Sequence, residues 1–257
     1  MFDLTALESA LADTAFAGKL HFSPTTGSTN SDAMRAASQG APHGAVFFAD
    51  EQCAGRGRSD HQWLSDAGQG LYVSVLLRLP IPPARLPLLP LAAGLAAAQA
   101  IHENTGLQTD LRWPNDLLLG PRKVGGILVE AKSPAAVVVG IGINVHQREF
   151  PPHLATPATS TDLESGRSIS RQALLVSLLK SLQAEAQALL QEAAVQEIPR
   201  RVAAASTWIA GRAVEVHGPQ ACRGVTEGLD PHGFLRVRTA GGPVVVQTGG
   251  IRAVEII

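Results

Sequence analysis

Apolar residues recur at helical spacing in several stretches of the chain. Leucines repeat every three or four positions near the N-terminus and again after Ser170, so that one side of each stretch is apolar. Serine, threonine and asparagine favour helix starts, whereas glycine favours helix ends. Together these signals predict helices over residues 4–15, 28–40 and 90–104, and a further helix that Ser170 caps.

Between these stretches lie short runs of β-branched and apolar residues, which are typical of buried strands. We expect strands at residues 44–49, 71–79, 110–113, 116–119 and 136–145. A Gly-Pro-Arg turn at residues 120–122 predicts that residues 116–132 form a hairpin. Residues 52–70 are rich in Gly, Arg, Ser and Asp and predict a loop between two strands.

The C-terminal part of the chain has a different pattern. From Gly211 onward, valines fall in short runs that Gly-rich turns separate, which is typical of a small β-barrel of about fifty residues. Residues 200–208 are expected to close the preceding larger unit. The sequence therefore predicts two domains, residues 1–208 and residues 209–257.

Composition restricts the possible classes of protein. The chain has 257 residues, 45% of them hydrophobic and 17% charged, which suffices for one large and one small domain with a buried core. A net charge of -1 gives no basic field for nucleic acid. Cys53 and Cys222 form no CxxC pair, so we expect no disulfide framework or zinc site and a cytoplasmic location.

Targeting, membrane and metal signals are weak. Acidic residues interrupt the apolar N-terminus, which therefore does not resemble a signal peptide. We expect no apolar run long enough to span a membrane, and the prolines and length of the most apolar stretch, residues 86–100, fit a buried helix better. The eight histidines show no metal-binding spacing and form no recognisable Ser/His/Asp triad.

The loop from Gln52 to Arg58 carries the strongest chemical signal. Gly55 and Gly57 allow the backbone to approach a ligand, and Arg56 and Arg58 supply forked donors that suit phosphate. The loop matches neither the P-loop nor the dinucleotide-binding pattern. A phosphate site and a solvated basic turn are equally compatible with this composition.

Three further segments combine polar residues with glycine or proline. Residues 113–116 (Trp-Pro-Asn-Asp) place two polar side chains at a strand start, although such a pair more often satisfies local backbone groups. Lys123 enters a strand beside two glycines and is either a site cation or an edge residue that blocks aggregation. Residues 140–144 (Gly-Ile-Gly-Ile-Asn) place glycines inside a strand, which favours close packing against the bare backbone.

In this order, the segments resemble the motifs of the biotin protein ligase family. The resemblance is strong over roughly residues 25–145, and the ordered set is far more specific than any single motif. The matching positions are Ser28, Thr29, Asn30, Gln52, residues 55–58, Trp63, residues 113–116, residues 123–127 and residues 140–144. The resemblance implies an α+β fold in which a mixed sheet backed by helices precedes a small SH3-like β-barrel, to which residues 228–233 are similar.

The resemblance also implies a two-step reaction. Biotin and ATP would give biotinyl-5'-AMP and pyrophosphate, and the biotinyl group would pass to a lysine of a biotin carboxyl carrier protein domain. Mg²⁺ would accompany ATP. A monomer or a homodimer without a membrane partner is expected. Since Ser28 lies close to the start of the sequence, we expect no winged helix before it and no DNA binding.

Residue roles follow from the same resemblance. Lys123, Arg56 and Arg58 would stabilise the charge that develops on phosphorus, and Asp116 would orient or deprotonate the incoming lysine. The expected biotin-binding residues are Ser28, Thr29, Asn30, Gln52, Gly55, Arg56, Gly57, Arg58, Trp63, Lys123, Gly126 and Gly142. The expected ATP-binding residues are Arg58, Trp63, Asn115, Lys123 and Asn144.

Two segments depart from the family pattern. The family usually continues its basic loop with another Gly and Arg, whereas Ser59, Asp60, His61 and Gln62 stand here before Trp63. We expect residues 55–62 to be mobile without ligand and to close over the adenylate. The family also often carries a glutamate where residues 248–251 stand, which affects any nucleotide contact expected nearby, including one by Arg252.

Three other classes of protein are alternatives to a biotin ligase. A lipoate-type ligase shares the architecture, but its Arg-Arg, Gly-Gly-Gly and His stretch is not found in this sequence. A non-enzymatic biotin-binding protein would keep the pocket and lose Lys123 or the loop arginines, which are all present. A nucleic-acid-binding module is disfavoured by the net charge.

Overall fold

The structure, a computed structural model, describes residues 2–58, 61–133 and 136–254. Its α-helices are α1 (Leu4–Ala10), α2 (Thr29–Ser38), α3 (Leu89–Thr105), α4 (Thr161–Ser165), α5 (Arg171–Ala188) and α6 (Glu192–Ala204), and a 3-10 helix (Pro83–Leu88) directly precedes α3. Its first seven strands are β1 (Leu20–Thr26), β2 (Ala45–Gln52), β3 (Gly70–Leu77), β4 (Asp110–Arg112), β5 (Asp116–Leu119), β6 (Arg122–Ser133) and β7 (Ala136–Asn144). The C-terminal strands are β8 (Ala210–His217), β9 (Cys222–Leu229), β10 (Leu235–Thr239), β11 (Gly242–Val246) and β12 (Gly250–Ala253).

The first seven strands form one mixed sheet in the order β1-β2-β3-β7-β6-β5-β4. Only β1 and β2 are paired in parallel, and the remaining neighbours are antiparallel. Alternate residues of a strand face opposite sides of a sheet. Accordingly, Leu71, Val73 and Val75 of β3 join the large core beneath α3 and α5, whereas Leu76 packs with Ala33 of α2. The helices therefore cover both faces, and the short α2 covers only part of its face.

Strand register places the glycines of β6 and β7 side by side. Gly126 of β6 pairs with Gly142 of β7, and on its other side Gly126 pairs with Asp116 of β5. Gly140 pairs with Leu128 on one side and with Ser74 of β3 on the other. Because glycine has no side chain, the α2 face of the sheet contains a strip of bare backbone at these positions.

The C-terminal strands form an antiparallel sheet in the order β11-β10-β9-β8-β12. This sheet packs directly on the larger unit. The indole of Trp113 donates a hydrogen bond of 3.0 Å to the carbonyl of Gly233. Gly233 has a φ of 83° and lies so close to α3 that a Cβ there would come 2.6 Å from Leu91, which only glycine avoids. The mixed sheet backed by helices and the second, smaller β-sheet confirm the expected fold.

Most predicted elements are present, and the differences have local causes. The helices predicted near residues 28, 90 and 170 and the β5–β6 hairpin are confirmed, whereas α1 ends at Ala10, before residue 15. Strand β1 was not predicted, because it contains Pro24, which an edge strand tolerates. Helix α6 was not predicted either, because Pro199 lies inside it, although Val195, Ile198 and Val202 bury one face. The short α4 also went unpredicted.

The apolar segment around α3 corrects one expectation. By length and composition alone, Pro83–Thr105 could cross a membrane, which contradicts the expectation that no segment is long enough. However, 61% of its most apolar window is buried inside the protein. Ala93, Ala97 and Ala100 are buried in the large core. The segment therefore packs as a central helix of the α+β core, as the expectation of a buried helix stated.

Candidate functional site

The loop that follows β2 is anchored to the first turn of α2 by Gln52. Its Oε1 accepts hydrogen bonds from the backbone N–H of Thr29 at 2.9 Å and from the Thr29 hydroxyl at 3.1 Å. Its Nε2 donates to Ser65 Oγ at 2.8 Å, near the far end of the loop. Gln52 therefore satisfies a free N–H at the helix start while it holds together the two ends of the loop.

These side-chain hydrogen bonds continue across the sheet from Thr29 to Glu130, and the series that begins at Gln52 is called the polar chain below. Thr29 Oγ1 lies 2.7 Å from Ser74 Oγ, and the Ser74 hydroxyl donates to Asn30 Oδ1 at 2.6 Å. Asn30 Nδ2 then donates to Glu130 Oε2 at 2.8 Å. A Cβ on Gly140 would overlap the Asn30 carboxamide, so this glycine makes the arrangement possible. Since Thr29, Asn30 and Ser74 are buried, these bonds are needed to offset their desolvation.

Arg56 forms an ion pair with Glu130, the last residue of the polar chain. Its Nη2 lies 2.8 Å from Glu130 Oε2, the same oxygen that accepts the Asn30 hydrogen bond. The Arg56 side chain is 45% exposed, so the pair is worth at most about 1 kcal/mol. A bound anion can therefore compete with Glu130 for Arg56 at little cost.

Trp63 lies over the bare backbone of Gly126 and Gly142, which is called the glycine strip below. A Cβ on Gly142 would come 2.6 Å from the Trp63 ring, and one on Gly126 would come 3.4 Å from it. The ammonium nitrogen of Lys123 lies 5.5 Å from the ring centroid, within cation–π range. Within the part of the chain that the structure describes, the buried Trp63 Nε1 has no hydrogen-bond partner. A buried donor without an acceptor is costly, so this indole marks a place that suits a ligand acceptor.

Asp116 joins two cations beside the glycine strip. Its Oδ1 lies 2.5 Å from Lys123 Nζ, and its Oδ2 accepts hydrogen bonds from Arg112 at 2.6 and 3.1 Å. Burial acts to raise the pKa of Asp116, but the charges and hydrogen bonds of Lys123 and Arg112 outweigh it and hold the pKa below its usual value. Asp116 is therefore ionised at neutral pH and poorly suited to accept a proton.

Arg58 reaches from the loop to both units of the protein. Its Nη1 donates to Asn115 Oδ1 at 3.2 Å and to the carbonyl of Gly249 at 2.9 Å. Burial lowers the pKa of Arg58, while the nearby charge of Asp116 acts to raise it. A guanidinium remains cationic at neutral pH in either case. Arg58 thus places a partly desolvated positive charge between the Trp-Pro-Asn-Asp motif and the C-terminal sheet.

Ser28, Asn115 and Asn144 were also expected at the site. Ser28 is buried at the start of α2, where its side chain makes no capping hydrogen bond within the described chain. Asn115 Nδ2 and Asn144 Nδ2 both donate to backbone carbonyls, those of Ile127 and Thr159. Asn144 therefore acts as a buried structural hydrogen-bond donor.

Within the loop itself, Gly55 packs tightly against residues 63–65, and the Gly57 N–H donates to the carbonyl of His61. Across the same loop, Arg56 pairs with Gln62 in an antiparallel bridge. Ser59 and Asp60, part of the departure from the family pattern, lie outside the described residues.

Three residues of the site were not identified from the sequence. They are Ser74, Glu130 and Arg112, which contact Asn30 or Asp116 in the folded chain. A buried serine in an apolar strand is a signal that could have indicated Ser74. Nothing local singles out Glu130, since its partner Asn30 is 100 residues away in the sequence.

The site combines two chemical zones on one face of the sheet. One zone is neutral, with hydroxyl and amide groups around Thr29 and Gln52. The other is cationic, with Lys123 beside the glycine strip and Arg58 and Arg56 extending from the loop. Among residues 2–58, 61–133 and 136–254, no group of three or more His, Cys, Asp or Glu side chains could hold a metal ion.

Comparison with known proteins agrees with this geometry. Residues 22–146 match the model of the biotin/lipoate A/B protein ligase family. The biotin--[acetyl-CoA-carboxylase] ligase of Mycobacterium tuberculosis is 34% identical over 233 residues, 88% of this chain and 85% of that protein. The bifunctional ligase/repressor BirA of Bacillus subtilis is 40% identical over 158 residues, 59% of this chain. The match spans only 49% of that relative's length.

A solved structure extends the similarity to almost the whole chain. It is the biotin protein ligase from Aquifex aeolicus in complex with biotin and ATP, with a TM-score of 0.81 and 30% identity. The match covers 92% of this chain and 100% of that one. The similarity therefore includes both the seven-stranded sheet and the C-terminal sheet.

We predict that Gly140→Ala destabilises the protein, because its Cβ would displace the Asn30 carboxamide and leave buried polar groups without partners. Each such group costs about 1–3 kcal/mol, so the unfolding midpoint should fall clearly. Gly250→Ala is the matched control, since a Cβ on this other strand glycine meets nothing within 4 Å. Denaturant unfolding measures both variants. Equal stabilities would contradict the proposed packing of Asn30 on Gly140.

Proposed function

This chain belongs to the biotin protein ligase family, and on that premise we propose that it activates biotin with ATP and transfers it to a carrier lysine. The observation that carries the proposal is the juxtaposition of the two zones. A Cβ on Gly126 would lie 3.4 Å from Lys123 Nζ, so the cation borders a strip of bare backbone. The strip also adjoins the neutral polar chain around Thr29 and Gln52. This combination suits a flat, neutral ligand that ends in a carboxylate.

Biotin meets that description. Its fused rings would lie against Gly126 and Gly142, where side chains are absent and Trp63 supplies an aromatic cover. Its ureido group needs donors and acceptors at one end of a mostly apolar pocket. We propose that Ser28, Thr29, Asn30 and Gln52 provide them. The Ser28 hydroxyl is not used as a helix cap, and Gln52 Nε2 has a second hydrogen beyond its bond to Ser65.

In the first step, a biotin carboxylate oxygen would attack the α-phosphorus of ATP. The bond from this phosphorus to the bridging oxygen breaks, and pyrophosphate leaves. The reaction brings two anions together and develops charge on a phosphoryl centre, so fixed cations lower its barrier. Lys123 would lie between carboxylate and phosphate, with Arg56 and Arg58 on the phosphate oxygens. Asn115 would act through its contact with Arg58.

In the second step, the amine of the carrier lysine would attack the acyl carbon of biotinyl-5'-AMP. The bond from this carbon to the phosphate oxygen breaks, AMP leaves, and the proton lost by the amine passes to water. We expected Asp116 to orient or deprotonate this amine. Its lowered pKa and its pairing with two cations favour a different role, which is to orient Lys123. Gly55 and Gly57 would allow the loop backbone to approach the adenylate.

Mg²⁺ is proposed to arrive with ATP. A magnesium ion usually binds substrate phosphates together with one or two carboxylates and several waters. Asp116 and Glu130, the two carboxylates described at the site, are already paired with cations. The described residues also contain no cluster of metal ligands, so they do not fit a dedicated metal site.

The same proposal extends to the partner, the oligomeric state and the location of the protein. The carrier would be the biotin carboxyl carrier domain of a biotin-dependent carboxylase. We propose a division into residues 1–208 and 209–257, a monomeric or homodimeric protein, a cytoplasmic location that suits two free cysteines, and no specific DNA binding. Arg58 would couple the two units during the reaction through its bond to Gly249.

A ligand comparison tests the proposed function. Biotin with ATP should raise the thermal unfolding midpoint, because a ligand that binds only the folded state stabilises it. Lipoate and octanoate, each with ATP, serve as the matched alternatives. A larger shift with lipoate than with biotin would replace the proposal with a lipoate-type ligase. No shift with any of the three would contradict a ligase of either kind.

Lys123→Ala should nearly abolish biotin-dependent ATP–pyrophosphate exchange while biotin still binds. The charge of Lys123 matters most when phosphoryl charge develops, so rate falls more than affinity. Loss of one such donor costs about 3 kcal/mol, or roughly 100-fold in rate. Lys180→Ala, on the exposed face of α5, is the control and should exchange normally. Near-normal exchange by Lys123→Ala would rule out this role.

Arg58→Ala should release biotinyl-5'-AMP faster than the unchanged protein. Its guanidinium would bind the anionic adenylate, and a hydrogen bond to a charged group contributes roughly 1.5–3 kcal/mol. Dissociation should therefore be about 10- to 100-fold faster, and released adenylate should label lysines of an added bystander protein. Arg200→Ala, whose side chain is 79% exposed, is the control.

Amide exchange gives an independent test of loop closure. We expect ligand to increase the protection of residues 53–58 and 61–64 in the unchanged protein, and to do so less in Arg58→Ala. Unchanged adenylate dissociation, together with equal protection in the presence and absence of ligand, would overturn the assignment of Arg58.

A further inference from the structure

We propose that Arg112 is a positioning residue that sets the location of Lys123 through the carboxylate of Asp116. The inference rests on the proposed function. Arg112 itself lies outside the sequence motifs that suggested that function. Arg112 is only 8% exposed, an unusual state for an arginine. Its Nε and Nη2 both donate to Asp116 Oδ2, and Asp116 Oδ1 contacts Lys123. One carboxylate thus separates and fixes two cations.

Arg112 is itself fixed by groups from three parts of the chain. Its Nη2 also donates to Thr156 Oγ1 at 2.8 Å. Its guanidinium carbon lies 5.2 Å from the centroid of Trp208, the residue that precedes the C-terminal sheet. A buried arginine with this many partners has little freedom to move, so its position is determined by the fold.

The strand that carries Arg112 is tied to the same junction. The N–H of Leu111 donates to the carbonyl of Ala205 at 2.9 Å, and the Ser206 hydroxyl donates to the carbonyl of Leu111 at 2.5 Å. Thr207 bonds to Asp110 through both its N–H and its hydroxyl. The junction between the two sheets therefore fixes β4, and β4 presents Arg112 to Asp116.

Lys123 needs such support because its own strand is irregular where it lies. The register of β5 and β6 shifts between Leu117 and Leu118, so that Leu117 pairs with Gly125 and Leu118 with Lys123. On its other side, the backbone of Lys123 also pairs with residues 157–159. A flexible lysine at a bulge has many rotamers, and the Asp116 carboxylate selects one of them.

The charged groups around Asp116 determine its titration. Lys123 of β6 and Arg112 of β4 lower the pKa of Asp116 and favour its carboxylate, and the charge of Asp116 in turn acts to raise the pKa of Arg58 of the loop. Removal of Arg112 should therefore raise the pKa of Asp116. A group with a lowered folded-state pKa contributes stability that is lost as pH falls through that pKa. In Arg112→Met, both this loss of stability and the loss of Lys123 orientation should begin at a higher pH.

Arg112→Met and Arg212→Met form a matched pair. Arg212 lies 4.7 Å from the centroid of the same Trp208 ring, so Arg212→Met also removes a cation–π contact with Trp208. No contact between Arg212 and Asp116 is found within the described residues. If Arg112 served only to pack on Trp208, the two variants would behave alike. Arg112→Lys, which keeps the charge and loses the fork, is the second variant in case Arg112→Met does not fold.

We expect Arg112→Met to lower kcat for biotin-dependent ATP–pyrophosphate exchange by about 10- to 100-fold, since small misplacements of a catalytic group have effects of this size. The Kd for biotin should change less than about threefold, because most of the proposed biotin contacts, those of Thr29, Gln52 and the glycine strip, do not involve Arg112. The acidic limb of the kcat profile should move to higher pH. Arg112→Lys should show an intermediate kcat, and Arg212→Met should keep both the rate and the profile of the unchanged protein.

Thermal unfolding across pH provides a readout that does not depend on activity. The acid-side fall in the unfolding midpoint should begin at a higher pH in Arg112→Met than in Arg212→Met. If the unchanged protein shows no biotin-dependent exchange, the proposed function fails, and this measurement alone decides whether Arg112 governs Asp116. Equal pH dependence of unfolding in the two variants, or equal kcat values in an active enzyme, would overturn the proposal.

Discussion

The register of the central strands is the constraint on which the rest of the site depends. Asp116, Gly126 and Gly142 are neighbours across β5, β6 and β7. Gly140, two residues before Gly142 and on the same face of β7, pairs with Ser74 of β3. A shift of one residue would turn every side chain in a strand to the opposite face. The glycines would then lie under α3, and apolar side chains would fill the α2 face. The hydrophobic core beneath α3 and α5 prevents this, because Ile127, Val139 and Ile141 must stay buried.

The bare backbone of these glycines has two consequences. Without side chains at Gly126 and Gly142, Trp63 can lie against the sheet, and without one at Gly140 the Asn30 carboxamide reaches both Ser74 and Glu130. Glycines inside strands are unfavourable for stability, since they give up packing and lose more chain entropy on folding. These glycines lie on one face, next to polar groups and a cation, so the stability that they lose is offset by the room that they leave for a ligand.

The site separates neutral recognition from charge stabilisation. The polar chain from Gln52 to Asn30 consists of hydroxyls and amides, which suit a neutral ring and attract anions only weakly. The cations Lys123, Arg112 and Arg58 gather around one carboxylate, that of Asp116. A single carboxylate among three cations leaves a net positive charge. This surplus suits a reaction in which two anions must meet, and Arg56 adds to it only when an anion replaces Glu130 as its partner.

The sequence by itself determined the local parts of this protein. Helical leucine spacing, capping residues and turn glycines predicted α2, α3, α5 and the β5–β6 hairpin, because each depends on residues a few positions apart. Motif residues such as Lys123 and Gln52 were likewise visible, since glycines and charged groups inside otherwise apolar segments are locally conspicuous. The edge strand β1 and helix α6 were missed because Pro24 and Pro199 are locally unfavourable and tertiary packing overrides that preference.

Only the tertiary structure decided which polar groups meet. Ser74 contacts Asn30 from 44 positions away, and Glu130 contacts the same side chain from 100 positions away. Arg112 and Asp116 are close in sequence, but the contact between Asp116 and Lys123 depends on the bulge and on the pairing of β5 with β6. Such contacts follow from strand order and register, which are set by burial of the whole core. No local pattern of residues contains that information.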